Sequence, residues 1–207
     1  EPGEEILIES ISNEADSMFL FINESLIKSV AGNTLLDTIT SPDSGKNYVK
    51  IMAKNQAETA VDSFYFFVRQ PVIVEELPAG IADGINYIND STVTLCLYAP
   101  FKEYVFVIGD FNNWEYEDEG YLFRTPDEKR YWITLSNLEP GTEYIYQYLV
   151  DGNIRIGDPY AEKVSDPWND KYISQTTYPG ILTYPATKTT GVATVLQIGR
   201  ASCRERV

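Results

Sequence analysis

Histidine is absent from this 207-residue sequence, and cysteine occurs only twice. Without histidine there is no Ser-His-Asp or Cys-His nucleophile system and no His-based metal site. Cys96 and Cys203 stand too far apart in sequence for a metal-binding motif, and two thiols make no disulfide framework. Cys96 lies in an apolar run and reads as a small core residue. Positive charge is also scarce: 16 Lys and Arg face 31 Asp and Glu, for a formal charge of −15. A surface of that sign repels phosphate backbones, so nucleic acid is not an expected partner. No apolar run approaches the roughly 20 residues that span a bilayer, so no membrane span is expected. The sequence opens at Glu1-Pro2-Gly3 without a starter Met, and a missing signal peptide therefore says nothing about export.

What is present is apolar and aromatic: 43% hydrophobic residues, with 15 Tyr, 9 Phe and 3 Trp. That composition suits a globular chain. No stretch of ten residues carries a 3.6-residue period, whereas short runs with strand character recur between turn signals. In the first third these runs are Ile6–Ile8, Met18–Ile22, Thr34–Ile39, Tyr48–Met52 and Ser63–Val68. Further on they are Thr92–Tyr98, Tyr104–Ile108, Tyr131–Leu135 and Tyr144–Val150. Asp151-Gly152, or Gly152-Asn153, is a hairpin turn signal leading back through Ile154–Ile156. The pattern predicts an all-β chain of two β-sandwich domains of immunoglobulin-like kind in tandem. The expected boundaries are a first sandwich at 1–74, whose abrupt start leaves room for missing first strands, a Pro- and Glu-bearing connector at 75–90, and a second sandwich at 91–185. Residues 186–197 are expected to begin a linker. Residues 198–207, with three Arg and one Glu, differ from the rest and resemble the translation of a common DNA-sequencing adapter, so they are set outside the fold together with Cys203.

Chemistry of the acid–base kind needs two positioned carboxylates. Residue type alone cannot select such a pair here. Asp110, Asp158 and Asp166 each sit where a turn needs a cap. The Glu115–Gly120 stretch lacks the ligand ladder of a calcium loop. No catalytic residue, metal site or cofactor is expected. Aromatic side chains are the better lead, because a flat ring covers the apolar face of a sugar while amides and carboxylates bond its hydroxyls. Trp114 stands out, flanked by Asn112, Asn113 and Glu115, with Tyr116, Trp132 and Trp168 as further candidates. Trp132 lies inside a strand and reads as core; Tyr144, Tyr146 and Tyr148 share one strand face and read as packing.

The succession Val107-Ile-Gly-Asp-Phe-Asn-Asn-Trp114, Trp132–Leu135, Tyr146–Gly152 and Asp158-Pro-Tyr-Ala161 resembles the glycogen-binding-type module of carbohydrate-binding family 48. The wider run from Gly84 through Asp166-Pro-Trp-Asn-Asp170 to Gly191 resembles the N-terminal region of secreted, multidomain bacterial α-amylase-family enzymes (glycoside hydrolase family 13). The resemblance implies a non-catalytic front end of an enzyme that hydrolyses α-1,4 or α-1,6 glucosidic bonds, in an extracellular or cell-envelope setting. Its catalytic barrel would follow Gln197 and be the partner on which this region docks. In sugar-gripping members of the family the contacts are the loop Trp, a Lys before the Asp-Gly turn and a Trp after it. Here those positions are Trp114, Gln147 and Ile154. The implied glycan contacts are Asn112, Asn113, Trp114 and Gln147; the implied docking residues are Asp158, Tyr160 and Trp168. An autonomous α-glucan-binding module and an envelope adhesion or scaffold protein are the competing readings.

Overall fold

A computed structural model of the chain describes residues 1–199. Among them strands alternate with loops and three short 3₁₀ turns, and there is no α-helix. Among the described residues no helix is long and apolar enough to cross a membrane, which says nothing about β-barrels. The chain divides into two units, Glu1–Pro71 and Val72 onward.

The first unit holds β1 (Glu5–Ile11), β2 (Ser17–Ile22), β3 (Ser25–Ala31), β4 (Thr34–Thr40), β5 (Gly45–Lys54) and β6 (Thr59–Val68). Strands β3, β2, β5 and β6 form one antiparallel sheet in that order, and β1 pairs with β4 in a two-stranded sheet. Alternation decides the core. Met18, Leu20 and Ile22 of β2 and Val49 and Ile51 of β5 are buried with Ile8, Leu35 and Ile39 of the smaller sheet. Strand β3 falls where the sequence showed only turn signals. Asn23 and Glu24 both adopt positive φ (48° and 69°), the left-handed pair that a two-residue hairpin turn requires, so the chain reverses directly into β3.

The second unit holds β7 (Gly84–Asn89), β8 (Thr92–Tyr98), β9 (Val105–Gly109), β10 (Phe123–Arg124), β11 (Arg130–Leu135), β12 (Glu143–Val150), β13 (Ile154–Ile156), β14 (Val164–Ser165) and β15 (Ala193–Gln197). One sheet runs β10-β11-β8-β7; the other is built around β12. Strand β9 pairs with Tyr146–Val150, while β15 pairs with Glu143–Tyr146 and β13 with Tyr148–Val150. Both edges of β12 are therefore occupied. Val93, Leu95, Leu97, Tyr131 and Ile133 of the first sheet pack against Val105, Val107, Tyr146, Tyr148, Val150 and Leu196 of the second. Tyr146 and Tyr148 are packing residues, as their shared face predicts.

The observed limits differ from the expected ones. The division falls at Pro71/Val72, and the residues expected as connector belong to the second unit. Glu75 N–H donates to Arg124 and Arg124 N–H to Ile73, so this segment lies along β10. Trp132 Nε1 donates to the Glu75 carbonyl (3.3 Å), and Arg130 grips Asp83 through Nε (2.6 Å) and Nη2 (3.2 Å). Gly84–Asn89 is a strand. Residues 193–197, expected within a linker, pair with β12 and β14, and Ile198 is buried in the core beside them. Their run, extended to Val192–Ile198, is rich in β-branched and apolar residues between Gly191 and Gly199, a strand signal that the linker reading passed over. Of residues 198–207, read as adapter-derived and set outside the fold, Ile198 is instead part of the core, and 200–207, with Cys203, lie outside the described residues. Cys96 is buried; burial first, and then the charge of Asp83, push its thiol up to about 12.

Two features of this unit yield measurable outcomes. Phe101, between β8 and β9, is 99% exposed and sits at φ 65°, a left-handed conformation that costs a bulky residue about 1 kcal/mol or more. Phe101→Gly relieves it, less the extra freedom glycine gives the unfolded chain, so chemical denaturation should show a gain of up to about 1 kcal/mol. Loss of stability would contradict that reading. Secondly, Asp158 Oδ2 accepts the hydroxyls of Tyr146 (3.0 Å) and Tyr148 (3.1 Å) inside the fold. Burial raises both phenols well above the ordinary value of 10.0, and the Asp158 charge adds to it. A folded-state value raised in this way favours folding below pH 10, and the stabilisation is lost as pH climbs through the folded-state values. Denaturation midpoints should therefore hold up to pH 10 and fall beyond it, with exposed tyrosines ionising first and the last two tyrosinates appearing together with unfolding. Two buried phenols ionising near pH 10 in a folded chain would refute this. Asp158→Asn leaves one hydroxyl poorly answered and should cost about 1–3 kcal/mol.

Candidate functional site

Strand β9 ends on Gly109, where backbone lies against backbone. A Cβ there would come within 2.6 Å of the Ile145 carbonyl and 2.7 Å of Tyr146 Cβ. Glycine permits that approach, and the chain then turns through Asp110–Asn112. Asn112 is spent on the turn itself: Oδ1 accepts Gly109 N–H (2.8 Å) and Nδ2 donates to the Val107 carbonyl (3.0 Å). Asn113 and Trp114 follow at φ 53° and 65°, which folds the indole back over the loop. Trp114 Nε1 donates to Asp110 Oδ1 (2.9 Å), while Asp110 Oδ2 accepts Ile145 N–H (2.8 Å). Trp114 is consequently only 7% exposed. The sequence placed it at a loop tip as a sugar platform. The structure instead makes it the inner anchor of the loop, its ring buried and its N–H satisfied by Asp110.

Gln147 projects from β12 on the face opposite Tyr146 and Tyr148, and its exposure is 0%. Both donors of its amide are used: Nε2 reaches the carbonyls of Thr190 and Val192, each at 2.9 Å. Its Oε1 accepts the Thr189 hydroxyl. Arg155 Nη1, next to Ile154, holds the Lys188 carbonyl (3.3 Å) and Thr189 Oγ1 (3.1 Å). Lys188 Nζ crosses to Asn113 Oδ1 (2.9 Å), and Tyr184 OH closes the strap on the Gly191 carbonyl (2.7 Å). Within residues 184–192, Lys188 and Thr189 thus reach both Asn113 and Arg155, next to Ile154, while Thr189, Thr190 and Val192 close over Gln147. Those three places are where the resemblance put the sugar contacts. Gln147 is withdrawn from ligand recognition, because an amide with both N–H groups bonded has no donor left.

The expected docking residues separate by role. Asp158 is buried and structural: besides the two tyrosine hydroxyls, its Oδ1 accepts Tyr160 N–H (2.8 Å) and its own N–H reaches Thr194 Oγ1 (2.6 Å). Tyr160 is exposed but backed by Gly84, where a Cβ would meet Tyr160 Cβ at 2.6 Å. Trp168 is 60% exposed. Its turn is locked by two carboxylates. Asp166 Oδ1 accepts Trp168 N–H (2.8 Å) and Asn169 N–H (3.2 Å), and Asp170 Oδ2 accepts Asp166 N–H (2.8 Å) and the Ser165 hydroxyl (3.2 Å). The Asn169 amide, followed by the Trp168 N–H, holds the Asp166 carboxyl below its usual range. Tyr172 is exposed on the adjoining 3₁₀ turn, with Lys171 Nζ 5.1 Å from its ring centre.

Sequence reasoning missed the strap residues Arg155, Lys188 and Thr189. Lys-Thr-Thr-Gly reads as a polar linker, and most of its bonds are made to or by main-chain groups, which leave no mark in side-chain pattern. Trp132, read as core, is buried. Among the described residues no group of three or more His, Cys, Asp or Glu is placed to hold a metal ion.

A family model described as carbohydrate-binding module 48 (isoamylase N-terminal domain) matches residues 84–169. The 1,4-alpha-glucan branching enzyme GlgB of a type A Clostridium perfringens strain is 37% identical over 87 residues, 39% of this chain and 13% of that protein. GlgB 2 of Clostridium perfringens strain 13 is 34% identical over 87 residues, with the same shares of 39% and 13%. The chain thus spans 13% of the length of these relatives. A pullulanase from Anoxybacillus sp. LM18-11 overlays on 78% of this chain and 25% of its own at 14% identity and a TM-score of 0.33, too loosely to bear on function. The match spans the Gly109–Trp114 loop and the Asp-Gly hairpin, so the segment 84–169 is similar to the carbohydrate-binding module 48 family.

Proposed function

We propose that this chain is a non-catalytic accessory region of an enzyme acting on α-glucan, and that its module works by docking rather than by capturing sugar. The observation that carries the docking half is the strap. Gln147 and the Asn113-Trp114 corner are engaged by the chain itself, while Trp168 stands outward on a turn held rigid by Asp166 and Asp170. An exposed indole on a preorganised turn loses little conformational freedom when it is covered, which suits a protein–protein anchor. The α-glucan half is supported by the family of residues 84–169 and by relatives named as 1,4-alpha-glucan branching enzymes. Hydrolysis is the reaction expected from the sequence; the branching relatives make transfer of a glucan chain its rival. The acid and nucleophile would reside on a catalytic barrel outside this chain. An extracellular or envelope location in a bacterium completes the proposal.

The reading is tested on the product of the native reading frame. Translation of the locus beyond the described residues should continue into a barrel domain with paired acidic residues, and a stop codon there would contradict it. In that longer protein Trp168→Ala should leave the fold of this region intact. It should lower the thermal midpoint of the catalytic part by several degrees, because a buried interface anchor costs roughly 2 kcal/mol or more. No change in midpoint or activity would remove Trp168 from the docking surface.

A further inference from the structure

The outward face of the β3-β2-β5-β6 sheet differs in chemistry from the rest of the chain. Glu1–Pro71 carries eleven carboxylates and five cationic side chains: Lys28, Lys46, Lys50, Lys54 and Arg69. Three of those five, Lys46, Lys50 and Lys54, project from β5 on the outward side. The register of the four strands places no carboxylate there, and Asp62, opposite buried Ile51, points to the other side. The cause is alternation: with Val49 and Ile51 in the core, their neighbours along β5 must face out. A four-residue repeat spaces these lysines about 13–14 Å apart along the strand.

Aromatic rings lie between the charges. Tyr48 is 59% exposed, and its ring centre is 6.1 Å from that of Tyr65, across a 54° tilt. Lys46 Nζ rests 4.8 Å from the Tyr65 ring centre and Lys50 Nζ 4.6 Å from that of Phe21. An outward sheet face on an acidic chain gains nothing in solubility from such rings, so they point to a ligand. A flat ring covers the apolar side of a pyranose, and an ammonium group answers a carboxylate. A neutral sugar would call for acceptors as well as donors, and this face offers no carboxylate. An acidic protein surface would satisfy the lysines but leave Tyr48 without a flat counterpart.

We propose that this face binds a polysaccharide bearing carboxylate groups, with Tyr48 as the ring platform and Lys50 and Lys54 as its charge partners. The site lies wholly within Glu1–Pro71 and does not depend on the docking reading of the module, so either can fail alone.

The test is affinity electrophoresis of the whole chain in gels containing polygalacturonate, glycogen or no polymer, with circular dichroism verifying that each variant keeps its strand content. Polygalacturonate should retard the parent chain and glycogen should not. The double variant K50A/K54A should bind roughly tenfold more weakly, K50R/K54R should bind as the parent does, and Tyr48→Ala should weaken binding at unchanged charge. Retardation should fade as salt shortens the screening length from about 10 Å at 0.1 M to about 3 Å at 1 M. Absence of retardation, equal retardation by glycogen, or undiminished binding by K50A/K54A would each overturn the proposal. Polymer-independent slowing that reflects association of the chain with itself would do the same.

Discussion

An amide buried on the outer face of a sheet must find hydrogen bonds or cost the fold a desolvation penalty of about 1–3 kcal/mol. Gln147 finds them in the chain's own Thr189–Val192, and the character of the second unit follows from that choice. Strand β12 already has both edges paired and one face committed to the core through Tyr146 and Tyr148. The strap takes the remaining face. Held at Asn113 on one side and at Arg155 on the other, it turns what would be an open sheet surface into interior. Trp114 is turned away from solvent by the same corner of structure, through Asp110 and two left-handed residues.

A surface closed in this way shifts attention to what is left exposed. On the second unit that includes the Asp166–Tyr172 turn, where carboxylates serve as caps. On the first it is the lysine-and-tyrosine face of β5 and β6. The acidic side chains that dominate the composition do structural work: Asp158 clips a loop to β12, Asp110 links the loop Trp to a strand, and Asp83 receives Arg130. A net charge of −15 therefore says more about how turns are capped and how the surface is solvated than about chemistry.

Much of the fold was legible because alternation is a local signal. The strands through Met18–Ile22, Tyr48–Met52, Thr92–Tyr98 and Tyr144–Val150 announce themselves by which residues can share a face, and Asp151-Gly152 announces their reversal. Strand β3 was not legible, since it begins at once after a two-residue turn and mixes Ser, Lys and apolar residues on a half-exposed edge. Strand β15 has a local signal in Val192–Ile198, but its partner does not: it pairs with Glu143–Tyr146, some fifty positions earlier in the chain. The site suffered in the same way. The Asn-Asn-Trp motif identified the module, but the burial of Trp114 depends on a carboxylate four residues away, and that of Gln147 on main-chain carbonyls more than forty residues away. Motif spacing reports which family a loop belongs to; it does not report whether the face beside it is open.

The central claim is therefore that the face on which the family resemblance places the sugar contacts is covered by the chain's own Thr189–Val192. A maltoheptaose titration followed by heteronuclear NMR tests it most directly, with the Trp114 indole and the Gln147 side-chain amide as reporters. The account predicts that both signals stay in place at millimolar oligosaccharide, with the Gln147 amide protons exchanging slowly. Saturable shifts at Trp114 and Gln147, together with fast exchange of that amide, would contradict it.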